Sequence, residues 1–173
     1  IFVEASRKRL RLFVEFPSHV PGLNLGPTLT LKTGHWGNIL ERTVVSSDAF
    51  GPMLPRNRIL MVHDCRYISV ESRHPHLVIA RVAGYDTAFY GLSPSGTMPI
   101  LFEHPRGDLM IATTKLSQFV TGRYAPNDAW QPVWRMILAW LQPGAGRLRL
   151  EWSPTVRPAY GKTDPLPGNA ERT

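Results

Sequence analysis

The sequence predicts an α/β domain: a mixed sheet with a β-rich N-terminal half, and one main amphipathic helix over about 127–142 packed on it. Three observations carry this. Trp130, Val133, Trp134, Ile137, Leu138 and Leu141 recur at i, i+3, i+4, i+7, i+8 and i+11, which puts them on one helical face. The run Leu109-Met110-Ile111-Ala112 has the length and character of a buried strand. The 16 prolines sit mostly between short apolar runs, which favours many strands with tight connections.

In chain order, Ile1-Phe2-Val3 reads as part of a strand, and after a basic turn residues 9–16 alternate polar and apolar as a half-buried strand does. Pro17 stops it, and 18–27 is loop around the Pro21-Gly22 turn. Strands are expected over 28–32, 39–45, 58–63, 77–82 and 87–92. Residues 46–57, rich in Gly, Pro and Asp, form a loop. Strands 99–102 and 109–113 flank His104-Pro105-Arg106-Gly107, a hairpin connection, so they should pair antiparallel. A polar loop, 113–126, leads to the helix, which Asn127 or Asp128 caps and in whose first turn Pro132 falls. Gln142-Pro143-Gly144 ends it, 147–152 makes one more strand, and 153–173 is a Pro-rich extended linker. The domain is thus expected to occupy 1–152. If the tryptophan face packs on the sheet, Trp134→Ala should cost ~3–5 kcal/mol.

Composition narrows the setting. A hydrophobic fraction of 43% over 173 residues suffices for one buried core. The net charge of +7 comes mainly from scattered arginines, and only Arg7-Lys8-Arg9 with Arg11 forms a cluster. With no RNP-like, helix-turn-helix or zinc-finger spacing, nucleic acid is not an expected partner. Attachment to a more acidic neighbouring domain explains the charge equally well. The single cysteine, Cys65, excludes an internal disulfide. No run approaches the ~20 apolar residues of a membrane span. The chain opens on Ile1, which suggests a piece of something longer.

Candidate site residues gather near expected strand ends, where α/β folds place ligand crevices. Asp64, Cys65 and Arg66 follow the 58–63 strand, and Cys65 is a candidate nucleophile if His and an acid lie near. The alternative is that Asp64 caps a turn and Cys65 is small core. His74 and His76, with His63 as a third, are candidate metal ligands, against a reading as loop histidines; no metal is expected. Asp86 and Glu103 are candidate carboxylates of a hydrolase, against turn and hairpin roles. Tyr85, Arg123 and Tyr124 are candidate ligand or partner contacts beside Arg66. No cofactor is expected.

The runs VAGYDTAFYGL, MPILFEHPRGDLMIATTKLSQFV and RYAPNDAWQPVWRMILAWL together resemble the C-terminal half of class I glutamine-amidotransferase-like domains. The version here looks like the degenerate form beside carbohydrate-active modules. The tail EWSPTVRPAYGKTDPLPGNAERT is similar to the connector before a six-hairpin (α/α toroid) glycosidase domain. The resemblance spans roughly 77–173. It implies a hairpin, strand, loop and closing helix, and a non-catalytic accessory or interaction domain of a larger glycan-processing protein exported by a bacterium. Its partners would be an adjacent catalytic domain or subunit and a carbohydrate. The chain lacks the family's Gly-flanked cysteine, so no catalytic residue carries over. Two rival classes remain: a hydrolase in its own right, using carboxylates from Asp64, Asp86 or Glu103, and a binding module for an anionic polymer using the Arg7–Arg11 cluster.

Overall fold

Leu109–Ala112 is apolar at all four positions because its strand is covered on both faces. In the computed structural model, which describes residues 1–31, 40–60, 66–82, 97–118 and 127–144, the elements follow in order. They are α1 (Phe2–Arg7), β1 (Leu12–Glu15), β2 (Thr28–Thr30), β3 (Leu40–Val45), β4 (Ile59–Leu60), β5 (Arg66–Ile68), β6 (Leu77–Val82), β7 (Thr97–Glu103), β8 (Leu109–Ala112), a 3-10 turn (Leu116–Gln118) and α2 (Asn127–Leu141). Six strands form one mixed sheet in the order β1-β8-β7-β6-β3-β4, while β2 and β5 make a separate antiparallel pair. Among the described residues of the large sheet, only the β1–β8 pairing is parallel. The fold class is the one expected.

Strand pleating divides the sheet residues between two faces. Met110 and Ala112 join Leu77, Ile79 and Leu101 beneath Trp130, Val133 and Ile137 of α2. Leu109 and Ile111 turn the other way and meet Phe102, Val20 and Val70, with Phe2, Leu12 and Leu23 packed around them. The helix therefore covers one face, while α1 and the 18–27 loop cover part of the other.

The expected hairpin is present. His104 N–H donates to the Leu109 carbonyl at 2.8 Å, Gly107 takes φ +77°, and Arg106 pairs with Asp108. Pro99 is tolerated inside β7 because the β6–β7 register is irregular at Leu77/Val78, where a ladder donor is dispensable. Gly26 has no room for a side chain: an added Cβ would clash with Ser69 Oγ. Its N–H holds the Ser69 carbonyl at 2.8 Å and so ties the N-terminal loop to the end of β5.

Four expectations need correction. Ile1-Phe2-Val3 leads into α1 rather than a strand, because Glu4 pairs with Arg7 and Lys8 at helical spacing. The following strand starts at Leu12, since Arg9 sits at φ 56° and breaks the extended run. Asn127 and Asp128, the expected caps, are already the first two residues of α2. Pro132 lies in the second turn of α2, where it removes one intrahelical hydrogen bond, and the helix closes at Leu141. The expected strands 87–92 and 147–152 and the linker 153–173 lie outside the described residues.

Candidate functional site

β3 and β7 flank β6, so the end of β3, the start of β6 and the end of β7 meet at one edge of the sheet. The backbone there is clamped from both sides. His76 N–H donates to the Leu101 carbonyl at 2.7 Å, and Ser46 N–H donates to the His76 carbonyl at 2.9 Å. Ser46 Oγ donates to the Pro75 carbonyl at 2.6 Å. This ladder fixes the point from which the His76 ring projects.

The ring is held between two polar side chains. Its Nδ1 lies 3.0 Å from Ser47 Oγ, and its Nε2 lies 3.6 Å from Glu103 Oε1. The second distance is an electrostatic contact just beyond hydrogen-bond reach, and Nε2 is otherwise buried. Phe50 meets the ring edge-on at 6.2 Å. A carboxylate facing Nε2 favours the tautomer with its proton on Nε2, leaving Nδ1 to accept from the serine hydroxyl. Ser47 Oγ in turn accepts from Ala49 N–H at 3.3 Å.

The three side chains border an open cleft of about 1380 Å³. Its lining includes Val78, Phe102 and Leu23 from the apolar layer opposite α2, and a polar rim from Asp48, Arg56, Glu71, Arg73 and His74. Of the candidates read from sequence, the structure thus brings His76 and Glu103 together and places exposed His74 beside them. Arg66 is exposed on β5 in the small sheet and does not line the cleft. His63, Asp64, Cys65, Tyr85, Asp86, Arg123 and Tyr124 lie outside the described residues. Among the described residues no three His, Cys, Asp or Glu side chains gather as a metal-binding group. Ser47 was not a sequence candidate. Its one signal is a polar run, Ser46-Ser47-Asp48, directly after a strand.

Comparison with protein-family models, with curated proteins and with solved structures found no match.

The basic N-terminal cluster is exposed. Arg7 and Lys8 pair with Glu4. Arg11 donates to the Trp140 carbonyl at 2.6 Å and lies over the Trp140 ring at 5.1 Å, where it neutralises the C-terminal end of α2. Among the described residues, no helix is long and apolar enough to cross a membrane.

Burial pushes the His76 imidazole below its ordinary value of 6.5, with the Glu103 charge pulling part of the way back. His104 is lowered in the same way by burial, against a raising contact with the Pro21 carbonyl. A base whose folded pKa is depressed leaves the unfolded chain binding more protons just below pH 6.5. Its stabilising contribution is complete above that pH and is lost as pH falls through the folded pKa. Urea midpoints should therefore fall between pH 7.5 and pH 5.5, and less so in a His76→Asn/His104→Asn variant. Equal midpoints for the parent protein at the two pH values would contradict this.

Proposed function

We propose that the chain is an accessory domain of a larger glycan-processing protein, and that the cleft beside His76 receives carbohydrate. The cleft's composition carries this reading: carboxylates, guanidinium groups and imidazoles share the lining with the apolar side chains of Leu23 and Met98, which keep part of their surface exposed. Sugar rings present hydroxyls at their edges and C–H groups on their faces. Planar charged groups can pair with neighbouring hydroxyls, while the exposed parts of Leu23 and Met98 accept the C–H face and few precisely placed polar groups fix orientation. The amidotransferase-like resemblance, with its hairpin, strand, loop and closing helix, supports the same setting, an adjacent catalytic domain in an exported bacterial protein.

The test is an array of plant and bacterial oligosaccharides, followed by calorimetry on each retained glycan. Glu71→Ala/Arg73→Ala should weaken binding by about tenfold or more, ~1.4 kcal/mol. Failure of the parent chain to retain any glycan better than this double variant would overturn the proposal.

A further inference from the structure

We infer that Ser47 is a nucleophile for ester hydrolysis, with His76 as its general base and Glu103 as a positioning residue for the imidazole. The juxtaposition is specific in its hydrogen bonding. Ser47 Oγ already accepts from Ala49 N–H, so its own proton is free to point at His76 Nδ1, 3.0 Å away. Nδ1 is the acceptor nitrogen because Nε2 faces Glu103 Oε1 at 3.6 Å. Burial keeps the ring neutral near pH 7, the form that can take a proton. The contact to Glu103 is long in the resting state, and it gains a full ion-pair attraction when the ring becomes imidazolium.

The oxyanion donors in this reading are main-chain N–H groups next to the nucleophile. Among the described residues, the main-chain N–H groups of Ser47 and Asp48 donate to no protein acceptor. The N–H following a nucleophilic serine is a recurrent donor to the oxyanion of an acyl-transfer intermediate. Ser47, His76 and Glu103 all line the cleft.

The chemistry needs only water as co-reactant. Ser47 Oγ attacks the ester carbonyl carbon while its proton passes to His76 Nδ1. The C–O bond to the alcohol breaks, the imidazolium returns the proton to the departing oxygen, and the free alcohol leaves an acyl-serine. Water then attacks that carbonyl with the same proton relay, releasing the carboxylic acid and restoring the hydroxyl. The preferred esters are O-acylated sugars. This substrate class rests on the carbohydrate reading of the cleft, whereas the nucleophile does not.

The experiment treats the whole chain with a fluorophosphonate probe, maps the adduct by mass spectrometry, and measures hydrolysis of p-nitrophenyl acetate and release of acetate from acetylated xylan. Labelling at Ser47 is expected, with p-nitrophenyl acetate turnover reduced at least a hundredfold in Ser47→Ala and partly retained in Ser47→Cys, which keeps a nucleophile. Near-UV circular dichroism of both variants checks the fold. Glu103→Gln should lower kcat more than KM and move the acid limb of the pH–rate profile to lower pH, because the carboxylate raises the His76 pKa. Asp48, Arg56, Glu71 and Arg73 line the same cleft, and their charges remain in that variant. A merely structural Glu103 would leave the limb in place. Labelling at Ser47 without acetate release from xylan overturns the sugar-ester class and leaves the nucleophile standing. No Ser47 adduct, or unchanged turnover in a folded Ser47→Ala protein, overturns the nucleophile itself.

Discussion

Trp130→Ala is expected to cost ~3–5 kcal/mol, the range of large aromatic truncations in a packed core. The indole is fully enclosed and lies in the cluster that joins α2 to Leu77, Leu101 and Met110. With domain stabilities of about 5–15 kcal/mol, that loss would leave a marginal protein. Trp134, one turn on, gives the contrast. Periodicity ranks the two tryptophans equally, yet Trp134 is only partly buried, with its ring edge-on to Phe13 at 5.8 Å. Its truncation forfeits an aromatic pair of about 0.5–1.5 kcal/mol and part of an indole's burial, so it should cost clearly less than Trp130→Ala and less than the ~3–5 kcal/mol that the periodicity alone suggests for it. Guanidinium unfolding of both variants, with m-values compared to the parent, measures the difference. A larger loss for Trp134→Ala would overturn this assignment of the helix face.

The same contrast shows what the sequence carries and where it stops. A period of 3.6 fixes which side of α2 is apolar, but not how deeply each residue sinks, because depth depends on strands far away in the chain. The β7–β8 hairpin was legible since His104-Pro105-Arg106-Gly107 is a local turn signal between two apolar runs. Ile1-Phe2-Val3 misled because three apolar residues fit either period, and the deciding ion pairs from Glu4 lie just beyond them. His76 and Glu103 stood out as chemistry-bearing types near strand ends. Their pairing did not, since it follows from the antiparallel packing of β7 on β6. Ser47 was silent for the same reason. A loop serine has no distinguishing neighbours in sequence, and only β3 lying on the other side of β6 brings it to the ring.

Phe102→Ala should cost a similar ~3–5 kcal/mol through the opposite face of the sheet. The ring is 1% exposed and opposes Ile111 across the β7–β8 pair, beneath Val20 and Val70. Removing it empties the layer that holds the N-terminal loop against the sheet, and a domain of this size should lose about 10 °C in Tm. Phe102 also lines the cleft and directly precedes Glu103 on β7. The cavity would therefore loosen the strand end that sets the Glu103–His76 contact, so cleft-dependent activity should fall with stability. Phe102→Leu keeps an apolar side chain and leaves a smaller void, so both losses should shrink together. A Tm for Phe102→Ala within about 3 °C of the parent would mean that this layer contributes little to the fold. Stability lost with cleft binding and ester turnover unchanged would instead separate the layer from the cleft it underlies.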